Sequence, residues 1–200
     1  KMFSIIGKKY NTSSDEELML LIVKGNHAAF EELYKRYSKN MLHFFYQRLQ
    51  QNPAKSQDFL QDLFLKLIEK ANMFDPSKKF KIWFYSMAAN MCKNEYRRAE
   101  VRGVQVADFD FNELLQETST AHLADRFDKN LFTRLLSQEL NKLDENHSLT
   151  FQLRYMNHFS INEISAIMEC SEGTVKSRLF YTIRKLSQKL EMFNPYNEAS

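Results

Sequence analysis

Apolar residues recur every three or four positions along most of the first hundred residues, a spacing that places them on one face of α-helices. Polar and helix-breaking residues divide this pattern at positions 25–26, 52–53 and 72–77. We therefore predict a compact bundle of four helices in the N-terminal half. The predicted helices begin near residue 15 and then cover residues 30–49, 59–68 and 80–98.

The pattern changes after residue 100 and becomes regular again at residue 131. The stretch between them is acidic, polar and weakly periodic, which predicts a flexible linker with at most a helical turn at 114–115. Helical spacing returns at 131–143 and 149–156 and continues to residue 190. The sequence thus predicts an all-α chain, with helical domains at residues 10–100 and 131–190 and an acidic linker at 101–130.

The C-terminal end of this pattern has the form of a helix-turn-helix. Ser160 and Glu163 have the spacing of a capping box, and Ser171 stands where it can cap a second helix. The second helix has basic residues on its outer faces and one apolar stripe. The stripe consists of Val175, Leu179, Ile183, Leu186 and Leu190. Such a helix docks on its own domain and meets phosphates and base edges with its other side, so we favour DNA binding over an ordinary amphipathic surface helix.

A second basic helix follows an aromatic stretch in the N-terminal half. This stretch contains Trp83, Phe84 and Tyr85, and it is followed by polar and basic side chains that are usually exposed. These are Asn90, Lys93, Asn94, Arg97 and Arg98. Cations that follow a backbone, beside apolar pockets and aromatic faces that accept bases, are typical of single-strand binding. We predict a site of this kind, with core packing as the favoured role of Trp83 itself.

A third surface lies at the start of the helix predicted near residues 59–68. Gln61 and Asp62 follow Asp58 by three and four positions, which places an acidic and amide face beside apolar residues. A solvated helix face and a protein-docking face explain this pattern equally well.

The distribution of charge is more informative than the net charge of +3. Residues 76–103 hold seven basic and two acidic side chains, whereas residues 104–130 hold six acidic and two basic ones. Basic segments on both sides of an acidic segment favour two separate nucleic-acid contacts. Apolar residues make up 44% of the chain, enough for packed cores.

Several classes of chemistry are disfavoured by the sequence. Cys92 and Cys170 lie far apart within helical patterns, which favours lone buried thiols over a disulfide or metal site. The five histidines form no ligand spacing, and there is no phosphate loop or nucleophile arrangement. We expect no cofactor, no metal and no enzymatic activity. No stretch reaches the length of a membrane span and no signal pattern opens the chain, so we expect a cytoplasmic protein without membrane insertion.

Three segments, in this order and spacing, resemble the extracytoplasmic-function sigma factors of bacteria over nearly the whole chain. Residues 56–64 are similar to the family's AEDLVQETF segment, and residues 80–90 to its F-x-x-W-L-Y-x-I-A-x-N segment. Residues 163–179 are similar to the pattern E-I-A…G-T-V-K-S-R-L, with Ser165 in place of the usual Ala, and this similarity is the most specific of the three. The resemblance implies a sigma-2 domain at 10–100 and a sigma-4 domain at 131–190.

The resemblance also implies a function. The protein would bind core RNA polymerase, through the β′ clamp helices and the β flap, and direct promoter-specific initiation of transcription. Sigma-4 would read the −35 element of promoter DNA as duplex, through Thr174, Lys176, Ser177, Arg178, Phe180, Tyr181 and Arg184. Sigma-2 would capture the melted −10 element, through Phe74, Asp75, Ser77, Lys78, Lys79, Asn90, Lys93, Asn94, Arg97 and Arg98. Implied polymerase contacts are Asp58, Gln61, Asp62, Phe64 and Lys66.

An anti-sigma factor, membrane-bound or free, is a further partner that the resemblance implies. The alternative function is a stand-alone helix-turn-helix transcriptional regulator. Such a regulator needs a ligand or phospho-acceptor domain, and the N-terminal half shows neither a nucleotide-binding loop nor a receiver-like strand pattern.

Overall fold

The computed structural model describes residues 10–101 and 123–193, which fall into two compact units. The N-terminal unit contains residues 10–101, and the C-terminal unit contains most of residues 123–193. Both units are built from helices, and the described residues include no β-strand. The predicted all-α class with two helical domains is confirmed.

Three helices of the N-terminal unit begin where the polar residues of the sequence predict. Ser14 and Glu17 form a capping box, and Asn26 and Asn52 each accept a hydrogen bond from the backbone N–H three residues on. Pro53 stands in the first turn of the third helix, where a missing N–H costs no hydrogen bond. The helices are α1 (Asp15–Val23), α2 (His27–Arg48), α3 (Pro53–Glu69) and α4 (Phe80–Val101), with a 3₁₀ turn at Ala71–Met73.

The core of the N-terminal unit is aromatic. Phe80 and Phe84 stack with ring centroids 5.2 Å apart, and Tyr37 meets each of them edge-on at 5.3 and 5.4 Å. Phe64 adds a further ring 5.4 Å from Phe84. Because these rings belong to α2, α3 and α4, the position of α4 depends on residues far apart in the chain.

Arg36 fastens the start of α1 to α2. Its guanidinium donates hydrogen bonds to the carbonyls of Tyr10 and Ser13, and to the carboxylates of Asp15 and Glu32. Partial burial lowers the pKa of Arg36, but the bonds to the two carboxylates outweigh this and raise it. The first turn of α1 is therefore held in a fixed place on the bundle.

The C-terminal unit begins earlier than the sequence predicts. Its first helix starts at Leu123 rather than near residue 131, so residues 123–130 belong to a helix and not to the linker. The rest of the predicted linker, with the turn predicted at 114–115, lies outside the described residues. The helices are α5 (Leu123–Asn141), α6 (Glu145–Phe151), α7 (Ile161–Met168) and α8 (Glu172–Lys189), with a π-helical turn at Gln152–Met156 and a 3₁₀ turn at Glu191–Phe193.

The helix predicted at 149–156 is in fact two elements. The α-helical part begins earlier, because the Asp144 side chain accepts hydrogen bonds from the N–H groups of Asn146 and His147 and so caps α6. Partial burial raises the pKa of Asp144, but the hydrogen bond with the His147 ring and the two bonds from these N–H groups outweigh it and lower the pKa. The chain then widens into the π-helical turn at Gln152.

The apolar stripe of α8 is wrong at one position. Ile183 is 42% exposed, whereas Thr182 is 1% exposed and faces the core. Steps of four residues drift around a helix with 3.6 residues per turn, so the stripe requires a step of three after Leu179. The buried Thr182 hydroxyl has no hydrogen-bond partner among the described residues.

Candidate nucleic-acid interface

The turn between α7 and α8 is fixed by short-range contacts. Ser160 and Glu163 form the predicted capping box of α7, and the Ser171 hydroxyl accepts a hydrogen bond from the Thr174 N–H at 3.1 Å. Between them, Glu169 adopts a left-handed conformation with φ of 54° and ends α7. The predicted helix-turn-helix geometry is therefore present.

The outward face of α8 is exposed, basic and partly aromatic. Phe180 and Tyr181 are each 60% exposed, with their rings edge to face at 5.5 Å. Thr174 and Arg178 are half-buried at the margin of this face. The exposed polar residues that the resemblance places on DNA are Lys176, Ser177 and Arg184.

Lys176 and Arg178 point in different directions, as their separation of two positions requires. The Lys176 ammonium lies 3.7 Å from the Glu172 carboxylate, on the solvent side of the helix. The Arg178 side chain points toward the connection between α7 and α8, where it donates a hydrogen bond to the Cys170 thiol at 3.7 Å. The two cations are thus placed to make different kinds of contact.

Glu172 makes a contact between the two helices of the motif that the sequence does not indicate. Its carboxylate accepts a hydrogen bond from the Asn162 side-chain amide at 3.2 Å and so joins the start of α8 to the start of α7. The same carboxylate pairs with Lys176. Its place in the sequence gives no sign of the bridge, because the bridge depends on the fold of the turn.

α4 presents a second polar and basic face. Asn90, Asn94 and Arg97 are exposed and Lys93 is half-buried. The opposite side of the helix is buried in the bundle through Phe84, Ala88 and Cys92. Arg98 is also exposed, and Arg97 and Arg98 both line an open basin of about 640 Å³ together with Lys55, Glu95 and Val101. The face predicted to bind a single strand therefore exists on α4.

The loop at residues 74–79 leads into this face. Phe74, one of the predicted −10 contacts, is only 8% exposed, because its ring packs 5.2 Å from Trp83 and anchors the loop. Asp75 accepts hydrogen bonds from the Ser77 hydroxyl at 2.7 Å and the Ser77 N–H at 3.0 Å, which lower the pKa of its carboxyl. Lys78 and Lys79 are exposed. The loop is therefore held by its own contacts, and its two lysines face the solvent.

α3 carries the third surface. Asp58, Gln61 and Asp62 are exposed, as predicted. Lys66 is half-buried. Phe64 is 4% exposed and packs against Tyr34, so it belongs to the core and not to this surface.

Two apolar side chains extend this third surface. Leu65 is 58% exposed and Ile68 is 49% exposed. They continue the helical spacing of Asp58, Gln61 and Asp62. The sequence could not separate them from the buried Phe64 and Leu67, because all four are apolar residues within one turn.

A shallow apolar groove lies on the C-terminal unit. Its volume is about 330 Å³, and it explains why Ile183 is exposed. The groove is lined mainly by Phe132, Leu136, Phe151, Ile183, Leu190 and Phe193.

Comparison with known proteins identifies both units. The family model of Sigma-70 region 2 matches residues 33–102, and that of Sigma-70, region 4 matches residues 133–186. The ECF RNA polymerase sigma-E factor of Escherichia coli K12 is 27% identical over 193 residues, which cover 89% of this chain and 95% of that protein. The chain belongs to the extracytoplasmic-function sigma factors of the sigma-70 family. This sigma factor directs the initiation of transcription, and a stand-alone regulator is not favoured.

Other relatives agree with this assignment. The RNA polymerase sigma-H factor of Pseudomonas aeruginosa is 25% identical to this sigma factor over 187 residues, 88% of the chain and 94% of that protein. A solved structure of CnrH in complex with the cytosolic domain of CnrY has a TM-score of 0.66 at 22% identity, with 91% and 100% of the two chains covered. The sigma factor RpoE with the anti-sigma factor NepR from Bartonella quintana has the same TM-score at 19% identity, with 82% and 98% covered. These structures share the fold of this sigma factor.

Two properties of the described residues bear on cofactors and membranes. Over residues 10–101 and 123–193, no three or more His, Cys, Asp or Glu side chains are grouped so as to hold a metal ion. None of the helices described there is both long enough and apolar enough to cross a membrane. Sigma factors in general are DNA-binding initiation factors and not enzymes.

Proposed function

We propose that this sigma factor binds core RNA polymerase, reads the −35 element as duplex with α8, and captures the −10 element as a single strand with α4 and the loop at 74–79. The observation that carries the proposal is that each unit presents one helix with a polar, basic outward face. α8 does so with Lys176 and Arg184, and α4 with Asn90, Asn94 and Arg97. Two such faces suit two promoter elements.

At the −35 element, α8 would enter the major groove. The N-terminal half of a recognition helix meets base edges there, and cations on its flanks meet phosphates. Arg178 is half-buried beside the turn and points away from Lys176, so we assign base contact to Arg178 and phosphate contact to Lys176. The exposed rings of Phe180 and Tyr181 would pack against the groove.

At the −10 element, the loop at residues 74–79, here called the capture loop, would accept an unpaired base. Its exposed cations precede α4, and the α4 face that would follow the strand's phosphates begins at Asn90, about 16 Å farther along the helix axis. Base pairs cost a few kcal/mol to open, and contacts made only by the unstacked base offset that cost. The chain itself would perform no covalent chemistry.

Two surfaces would bind core polymerase. The α3 surface, with the exposed Leu65 and Ile68 beside its acidic and amide side chains, would dock on the β′ clamp helices. Its acidic part suits basic residues there, and its apolar part supplies burial. The apolar groove on the C-terminal unit would take a helix of the β flap.

We infer an anti-sigma factor as a further partner, membrane-bound or free. The inference is supported by the solved relatives, one titled as a complex with the cytosolic domain of CnrY and one as a complex with an anti-sigma factor. Since its proposed partners are core polymerase and promoter DNA, we place the protein in the cytoplasm.

The test is run-off transcription from promoter fragments with core polymerase and this chain. We expect transcripts that begin downstream of matched −35 and −10 elements and disappear without the chain. Asp62→Lys should weaken binding to core polymerase without unfolding the bundle, because Asp62 is exposed. Asn94→Ala combined with Arg97→Ala should leave duplex binding intact, lower the permanganate reactivity of −10 thymines, and be rescued by a pre-melted template. Normal opening of duplex promoters by the double variant would show that melting occurs elsewhere.

A further inference from the structure

Glu16 of α1 caps the first turn of α4. Its Oε1 accepts a hydrogen bond from the backbone N–H of Phe80 at 2.8 Å, across 64 positions of sequence. Phe80 is the first residue of α4, and the first N–H groups of a helix have no partner within it. A carboxylate at this end also interacts favourably with the helix dipole.

We propose that Glu16 is a positioning residue for the capture loop. Because Phe80 directly follows the loop, its bond to Glu16 fixes the point at which the loop joins α4. The loop would then already have the shape in which it accepts an unpaired −10 base. This role rests on the proposed function of the loop, and it assigns α1 a part in promoter opening although α1 carries none of the proposed DNA contacts.

The capture loop is held at both ends and braced in the middle. At its first end, Phe74 packs on Trp83 and, at 6.0 Å, on Phe80. In the middle, Asp75 accepts two hydrogen bonds from Ser77. At its second end stands the Glu16 cap. A loop that is ordered before binding avoids most of the entropy cost of ordering during capture, so each of these contacts favours capture.

Glu16 is itself held in place. The preceding residue, Asp15, accepts hydrogen bonds from Arg36 at 2.7 Å and from the Tyr37 hydroxyl. The following residue, Glu17, turns the other way and accepts from the Ser14 N–H at 2.8 Å, within the capping box of α1. Glu16 and Glu17 are therefore neighbouring acids with different partners, and Glu17 provides a matched control.

The test uses holoenzyme assembled from core polymerase and wild type, Glu16→Ala, Glu16→Asp, Glu16→Gln or Glu17→Ala. Core affinity and −35 duplex binding are measured first, and then the permanganate reactivity of −10 thymines. We expect Glu16→Ala to lower promoter opening about three- to ten-fold, the range for loss of a helix cap, with core and duplex binding unchanged. Glu16→Asp should show a smaller defect because it is one methylene too short. Glu16→Gln should open promoters almost normally because its amide oxygen still accepts, and Glu17→Ala should also be near wild type.

Wild-type opening by both Glu16→Ala and Glu16→Asp would overturn the proposal. An equal loss in Glu17→Ala would also overturn it, since the effect would then come from the stability of α1. If Glu16→Ala fails to bind core polymerase, promoter opening by Glu16→Asp tests the proposal instead. This variant keeps the negative charge, and its side chain is only one methylene shorter. The Asn94→Ala and Arg97→Ala double variant distinguishes a failure of the function proposed for α4 from a failure of the role proposed for Glu16. Normal opening there contradicts the function proposed for α4, whereas a defect there with normal opening by the Glu16 variants contradicts only the role of Glu16.

Discussion

The two helices that we propose to contact promoter DNA are positioned in opposite ways. α8 is set by residues close to it in sequence: Ser171 caps the N–H of Thr174, and Asn162 reaches Glu172 ten positions on. α4 is set by residues far from it, namely Glu16 across 64 positions and the ring of Tyr37 on α2. The start of the recognition helix is thus fixed by neighbouring residues, although its C-terminal turns pack on Leu140 of α5. The strand-capture site instead depends at its start on residues from other helices of the bundle.

This difference has a consequence for mutation. A change in the distant aromatic core should disturb the α4 site without touching any DNA contact. A change near α8 should act on −35 recognition alone. The predictions below test this contrast, from the largest expected effect to the smallest.

Phe84→Ala should have the largest effect. Phe84 is fully buried and contacts rings from α2 and α3, so its truncation should cost about 3–5 kcal/mol of unfolding free energy. Urea denaturation followed by circular dichroism measures this cost. Leu20→Ala, at a residue 46% exposed on α1, is the control and should cost far less. Equal costs would mean that the aromatic core does not support α4.

Arg178→Ala should cost about 1–3 kcal/mol in binding to the cognate −35 duplex and relax the preference at one base pair. Lys176→Ala should instead weaken binding to all duplexes alike and reduce the salt slope by about one unit. Fluorescence titration of holoenzyme with cognate and single-substituted duplexes, at several salt concentrations, distinguishes the two. Full −35-dependent transcription by both variants would show that α8 is not the recognition helix.

Ser171→Ala should destabilise the C-terminal unit by about 1 kcal/mol, because the first turn of α8 loses its cap. The −35 affinity should fall while transcription from a pre-melted −10 template stays normal. Ser187→Ala, which removes a hydroxyl bonded to the Arg184 carbonyl later in the same helix, is a matched control with little expected effect. A loss of −10 opening in Ser171→Ala would contradict the local character of the α8 site.

Glu172→Gln should have the smallest effect. It releases Lys176 from an exposed ion pair worth about 0.2–1 kcal/mol and removes an acid near DNA, so affinity for any duplex should rise about two- to five-fold. The salt slope should change by less than one unit, because Lys176 already makes its phosphate contact in the wild-type complex. Glu169→Gln changes charge in the same turn and should give a smaller rise. In a Lys176→Met background the two substitutions should become equal, and a persisting difference would assign the effect of Glu172 to something other than Lys176.

The same contrast explains how much the sequence predicts. The caps at Ser160 and Ser171, the break at Pro53 and the basic face of α8 follow from neighbouring residues, and all are present in the structure. The structure buries Thr182 where the stripe predicts Ile183, which shows the limit of counting in steps of four. Local spacing cannot decide which of several adjacent apolar residues the rest of the bundle covers.

The α4 site was predicted only in outline. Its exposed side chains follow from the helix period, but the burial of Phe74 and Phe64 depends on partners in other helices. The cap by Glu16 gives no sequence signal, because the acid is 64 positions from the N–H that it accepts. Residues that position the capture loop were therefore not identified, although residues on its surface were.

Trp83 is the single tryptophan of the chain, and its indole packs on Phe74 where the capture loop begins. Fluorotryptophan incorporated into this chain alone would therefore give one ¹⁹F resonance, even in a complex with unlabelled polymerase. Ring-current shifts fall off within a few ångströms, so that resonance would respond to a base that enters beside the Phe74 ring and hardly to events at α8. Trp83 is thus a natural position for an NMR probe of promoter opening. Exchange broadening of its resonance would report the rate at which the base enters.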